Sequence, residues 1–265
     1  LSLVVGAAAA VAADSAAPAG PAAPQETVVT LSPFEVSAEQ DTGYVGQDTL
    51  SGSRLRTNLK DVAAAISPMT AEFLQDIAAN NIEDIVEYGV GTRMETDDAR
   101  SAGPVSDGYN DTVRNIRIRG LPGGGRSINF FSAPGEVDLY MTERLEISRG
   151  PNSILFGVGS PAGGINVASK QARTDRHVFS LSHRIDSWGG QRVTADANVA
   201  LLKNKVGVRA VVLRGRENSW RASGHNDADR IFLTGKWQID RKTTVRVEVE
   251  RGVIDRFVPR PCFGN

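Results

Sequence analysis

Five runs of alternating residues after Lys170 constrain this 265-residue chain more than any other feature. They read HVFSLSHRID, QRVTADANVALL, KVGVRAVVLRGR, DRIFLTGKWQID and TTVRVEVERG. In the second, Val193, Ala195, Ala197, Val199 and Leu201 alternate with Thr194, Asp196 and Asn198. In the fifth, Val245, Val247 and Val249 alternate with Arg246, Glu248 and Glu250. A period of two marks strands with one apolar and one strongly polar face. Each run has roughly the length of a tilted strand that crosses a bilayer. The connections sort by length: LKNK and DRK are tight, DSWGG joins the first pair, and ENSWRASGHNDAD is long and polar. Short turns at one end and longer loops at the other characterise outer-membrane barrels. A soluble antiparallel sandwich or barrel carries the same alternation, and the pattern admits both.

The front of the chain bears on that choice. LSLVVGAAAAVAADS is an apolar run of the length of a signal-peptide core, with Ala10 and Ala12 forming a small-x-small cleavage site before Ala13. It is too short to span a bilayer as a helix. Neither Met nor a basic segment precedes it, as in a chain clipped at its front. The expectation is a partial signal peptide over residues 1–12 and a Pro/Ala linker over 13–25, from SAAPAGPAAPQ. Glu26 to Val36 is β-prone and apolar, a segment suited to adding a strand to a partner's sheet edge.

Residues 50–171 read as an α+β unit, a small mixed sheet with short helices. DVAAAISPMT predicts a strand ending near Pro68. Thr70 then caps one helix, with Phe73, Leu74, Ile77 and Ala78 as its apolar stripe, and Asn81 caps a second, with Ile82, Ile85 and Val86 inward. Gly89 and Gly91 end it. VRNIRIRG predicts a strand broken at Gly120, and VDLYMTERLEISRGP a helical turn leading into a strand over 144–148.

Candidate chemistry is thin. Net charge is −1 and the sequence pI about 6.4, which does not favour a nucleic-acid partner. Cys262 is the single cysteine, so no disulfide forms within the chain. Gly157 and Gly159 are followed by Gly163, one residue too far for a dinucleotide fingerprint, and no phosphate-loop Lys follows. His177, His183 and His225 lack metal-ligand spacing. No metal, cofactor or catalytic group is expected, and the chain does not read as an enzyme.

The stretch RLEISRGPNSILFGVGSPAGGINVASK closely resembles the end of the plug domain of TonB-dependent outer-membrane receptors. That family shows an acidic strand, then Arg-Gly-Pro, an aliphatic-aromatic-Gly turn and a Gly-Gly-x-x-Asn run ending in Lys. Here those are Arg144 to Ser148, Arg149-Gly150-Pro151, Leu155-Phe156-Gly157 and Gly163-Gly164-Ile165-Asn166. IRIRG, Ile116 to Gly120, matches a second plug motif, and Glu26-Thr27-Val28-Val29-Thr30 looks like the TonB box. The resemblance runs from Glu26 to the last residue and leans toward ferric-siderophore receptors. It implies a plug over 50–171, then the first antiparallel strands of a transmembrane β-barrel over 175–265. A 22-stranded barrel with a plugged lumen needs far more than five strands. The expectation is therefore a fragment, which does not transport on its own.

The resemblance also implies roles. Gly120, Gly150, Gly157, Gly163 and Gly164 would make the tight turns of a domain folded inside a lumen. Arg119 and Arg149 would pair with barrel carboxylates, a task suited to a bidentate and always charged side chain. Arg126, Asn129, Phe130 and Phe131 are expected to face the ligand side, in a segment abbreviated relative to members with an Asp-Gly strand. Implied partners are TonB, outer-membrane lipid and a small ligand such as a ferric siderophore; cobalamin, haem and saccharide stay open. A secreted β-rich binding or adhesion domain is the alternative. A signal-transducing receptor would need a further folded domain before the TonB box, for which SAAPAGPAAPQ leaves no room.

Overall fold

The computed structural model describes residues 4–7, 41–49, 57–94, 116–122, 125–133, 135–151, 160–218, 223–240 and 243–257. The chain divides into two compact units, residues 21–169 and residues 1–20 with 170–265. Strands are numbered in chain order from β1 (Val4–Ala7).

In the unit of residues 21–169, β2 (Asp48–Thr49) pairs with β3 (Thr57–Asn58). The main sheet holds β4 (Ala65–Thr70), β7 (Gly125–Ile128), β8 (Phe131–Ser132), β9 (Thr142–Arg149) and β10 (Gly163–Ser169). Its order is β4-β9-β10-β7-β8, with β10 parallel to β7 and the other pairs antiparallel. Pro68 is accommodated because β4 lies at an edge, where a missing N–H costs no ladder bond.

After β4 come α1 (Ala71–Asp76) and α2 (Ile82–Val86), each starting where its cap predicts. Thr70 Oγ1 accepts from Phe73 N at 3.2 Å. Asn81 and Asp84 form a reciprocal capping box, with Asp84 N donating to Asn81 Oδ1 at 3.0 Å. Leu74, Ile82, Ile85 and Val86 are buried as expected. Ala78 leaves the expected stripe: α1 has ended, and Ala78 sits at φ 55°. β5 (Thr92–Met94) pairs with β6 (Ile116–Ile118). Ile116, Ile118, Leu145, Ile147, Ile165 and Val167 complete this core.

The Gly-Gly run answers to close packing. Gly163 has φ 118°, and a side chain there would run into the Ser148 carbonyl of β9. A Cβ on Gly164 would stand 3.0 Å from the Gly125 carbonyl of β7. Within the segment expected to be abbreviated, Ser127 to Ser132 forms a hairpin of β7 and β8, joined by Asn129 (φ 49°) and Phe130 (φ 68°). A two-residue hairpin turn with positive φ at both positions normally selects Asn-Gly or Asp-Gly. Here Phe130 holds the glycine position.

In the other unit, β11 (Val178–Ile185), β12 (Gln191–Leu202), β13 (Val206–Asn218), β14 (His225–Gln238) and β15 (Thr244–Phe257) form an antiparallel meander. β1, within the stretch expected as a signal peptide, lies along β15. All five expected strands occur, and three are longer than expected: β13 runs on to Asn218, and β14 and β15 extend further. β14 begins at His225, taking HNDAD out of the loop, because Arg216 reaches across to Asp229 (3.0 Å) and Asp227 (3.4 Å). β15 continues past Gly252 to Phe257.

Candidate functional site

The register of the meander settles which face is which. One face carries Phe179 and Leu181 of β11, then Ala195, Ala197 and Val199 of β12. It continues through Val208, Ala210 and Val212 of β13, Ile231 and Leu233 of β14, and Val247 and Val249 of β15. This apolar face is the exposed one: Phe179 is 73 % and Leu181 65 % accessible. The opposite face holds Arg192, Asp196, Asn198 and Thr234, all buried. Val211, Leu213 and Phe232 are buried among them. An apolar outside with ion pairs inside inverts the order of a water-soluble protein. Strands of 12 to 14 residues in β12 to β15 exceed the ~9–11 that a tilted membrane strand needs.

The buried polar face is satisfied by specific pairs. Asp196 receives Arg209 through two bonds, at 2.8 and 2.7 Å, and Lys170 Nζ at 3.0 Å. Asn198 Oδ1 accepts from Arg173 N at 2.8 Å, while its Nδ2 donates to the carbonyls of Arg173 and Arg176. Asp196 and Asn198 thus clamp residues 170–176 onto β12. The alternation pointed to a polar face, but it did not reveal that this face grips the preceding segment.

The two arginines expected to meet barrel carboxylates stand close together. Arg149 donates to the Val90 carbonyl at 3.0 Å and to Ser67 Oγ at 2.7 Å. Arg119 sits at φ 53° beside Gly150, with Nη1 3.6 Å from where a Cβ there would stand. Burial first, then the charge of Arg119, lowers the pKa of Arg149. Among the described residues neither guanidinium has a carboxylate partner. Two adjacent cations, one partly desolvated, make a place where an anion is stabilising.

A second cluster was not foreseen. Arg144 on β9 is fully buried, with Nη1 2.9 Å from Asp48 and 3.4 Å from Asp41, and Nε 3.5 Å from Glu146. A further Arg144 nitrogen donates to the Asp48 carbonyl. Thr49 Oγ1 donates to Glu146 Oε2 at 2.8 Å, and Thr70 Oγ1 to the Gly43 carbonyl at 2.7 Å. Tyr44 OH donates to Asp76 at 2.6 Å, and its ring packs edge-on against Phe73. Residues 41–49 are thus strapped to β9 largely by polar contacts. The available signal was the spacing Arg144-x-Glu146, which puts two charges on one face of an otherwise buried strand.

The four residues expected on the ligand side do not form one surface. Arg126 is buried in an ion pair with Glu83 at 2.9 Å; burial lowers its pKa, and Glu83 partly offsets that. Asn129 Nδ2 donates to Ser169 Oγ at 2.8 Å, and Asn129 Oδ1 accepts from Ser169 N at 3.0 Å. Phe130 N donates to Asn166 Oδ1 at 2.8 Å. This hairpin tip therefore lies at the end of β10 that continues into residue 170. Gly150 lies at the other end, where β10 begins, with Arg119 and Gly120 beside it. Phe131 is exposed. The segment 26–30 and Gly157 lie outside the described residues. Among the described residues no cluster of His, Cys, Asp and Glu has metal-site geometry, and no helix is long and apolar enough to cross a membrane.

The sequence profile of the family described as TonB-dependent Receptor Plug Domain matches residues 58–164. The chain is 27% identical over 248 residues to the metal-pseudopaline receptor CntO of Pseudomonas aeruginosa, covering 89% of this chain and 34% of that protein. It is 27% identical over 166 residues to the ferrichrome outer membrane transporter/phage receptor of Escherichia coli, covering 57% and 21%. Its fold matches the pyoverdine outer membrane receptor FpvA of Pseudomonas aeruginosa, bound to pyoverdine, with a TM-score of 0.71 at 17% identity. That match covers 86% of this chain and 33% of the receptor. The chain thus spans about a third or less of the length of these relatives.

Proposed function

We propose that the chain is a TonB-dependent receptor segment, forming the plug and first barrel strands of an outer-membrane receptor for a scarce nutrient. The nutrient is a ferric siderophore or related metal chelate, passed to the periplasm with energy transmitted by TonB. The observation that carries this reading is the inverted sheet. A meander with an apolar exposed face and an ion-paired opposite face, joined to a small mixed sheet, suits a barrel wall around a plug. A secreted adhesion domain would bury that apolar face, whereas Phe179, Leu181, Val212 and Leu233 on it are exposed.

Roles follow from the parts. Arg119 and Arg149 pair with carboxylates of the barrel and hold the plug in place. The turns at Gly120 and Gly150, at the end of the sheet away from residue 170, are the ligand side, in place of the Asn129–Phe130 tip. TonB grips residues 26–30 by adding a strand to them, so main-chain hydrogen bonds carry the load. Proline cannot donate such a bond and resists ladder pairing. Val28→Pro in the full-length receptor should therefore abolish energy-dependent uptake while leaving ligand binding at the cell surface unchanged. Undiminished uptake by this variant would sink the assignment of the segment.

A further inference from the structure

Resting on the receptor reading, we infer that Asp196, Asn198, Asn204 and Arg209 form the fixed anchor against which a pull on residues 26–30 works. They pin residues 170–176, so that load arriving along the chain ends on interior strands of the meander and does not reach β11. The chain passes into the meander unit between Ser169 and Lys170, and β11 starts only at Val178. Most of the stretch between is held. Lys170 Nζ sits 3.0 Å from Asp196. The Gln171 carbonyl accepts from Arg209 Nη1 at 3.1 Å. Ala172 is buried. Asn198 bonds the N–H and carbonyl of Arg173 and the carbonyl of Arg176. The Thr174 carbonyl accepts from Asn204 N at 2.8 Å.

The strands are shaped for this segment. A Cβ on Gly207 of β13 would stand 2.5 Å from the Arg173 carbonyl, so only glycine lets the segment lie so close. Asn204 has φ 60°, a left-handed conformation that asparagine adopts more readily than most side chains. The lysine that ends the glycine run of the plug motif also gains a task. With Arg209 it compensates the carboxylate of Asp196, which is almost fully buried. Pulling Lys170 away strips part of that compensation from a buried charge, and this resists rupture. Where the bonds end matters as much as their number. Their partners lie on β12, on β13 and in the turn between them, and each of those strands is paired on both sides. Among the described residues β11 is at the edge of the sheet. Load entering β11 from its end would part its bonds with β12 one after another, whereas load on the anchor is spread over two strands at once. A pull on residues 26–30 then does its work inside the plug.

The test is single-molecule pulling on the purified full-length receptor, inserted in a lipid bilayer and held through a tag fused ahead of residue 26. The anchor predicts that chain pays out as far as Ser169, about 500 Å at ~3.6 Å per residue, and then stops. Asn198→Ala removes three hydrogen bonds. At about five-fold for each, the stop should last about a hundred-fold less time under the same load. A wild-type stop about 30 Å later, where β11 begins, would overturn the inference. So would an unchanged lifetime in Asn198→Ala. Should that variant fail to fold, the position of the wild-type stop decides alone. In each of these cases a receptor that has inserted as a barrel leaves the receptor reading standing. A wild-type chain that does not insert would sink both.

Discussion

Arg144 makes the sharpest demand on the structure. Its side chain has no exposure, touches Asp48 at 2.9 Å and Asp41 at 3.4 Å, and joins residues 41–49 to β9. Arg144→Met keeps much of the volume and removes the charge and the donors. Removing one partner of a buried ion pair costs about 3–5 kcal/mol, because the other charge stays behind without compensation. If that cost falls on docking of the strap, its opening constant rises by a factor between about one hundred and a few thousand. Hydrogen exchange on the purified receptor reads this directly. Amides of residues 46–49 should exchange faster by that factor, while those of β10, whose bonds are internal to the sheet, should hardly change. Arg144→Lys should fall between, because it keeps the charge and loses the fork that reaches Asp48 twice. Unchanged protection at 46–49 in Arg144→Met would refute the reasoning. The strap would then be held by Tyr44 on Asp76 and Phe73, and by Thr70 on Gly43.

Two further outcomes follow from the backbone. Gly163→Ala should prevent the plug sheet from forming, since φ 118° and the Ser148 carbonyl together exclude a Cβ; strain at such a position alone costs about 1–3 kcal/mol. Loss of protease resistance in the purified receptor would show it, and wild-type resistance would contradict it. Phe130→Gly should stabilise the β7–β8 hairpin by roughly 0.5–1 kcal/mol, because glycine adopts positive φ without steric cost. A lower thermal midpoint would mean that packing of the Phe130 ring outweighs its strain.

What the sequence disclosed depended on local rules. Period-two alternation located all five strands of the meander, because side chains alternate faces whatever the surroundings. Thr70 and Asn81 marked two helix starts, because a cap acts within three residues. It was less informative where the deciding partner is far away in the chain. The strand at His225 depends on Arg216, which neutralises Asp227 and Asp229 from the neighbouring strand. The roles of Arg126 and Asn129 depend on Glu83 and Ser169, about forty residues off. No local pattern announces such pairs, so residues that looked fit for a ligand turned out to have partners within the plug. The Arg144 strap was missed for the same reason, with Asp48 lying 96 positions away.

The central claim is that a receptor built on this plug and these strands moves a metal chelate inward at the expense of TonB. Uptake of radiolabelled iron chelate by cells expressing the full-length receptor, with and without TonB, tests it most directly. The account predicts surface binding in both strains and accumulation in the strain with TonB alone. Equal accumulation in the two strains would contradict it.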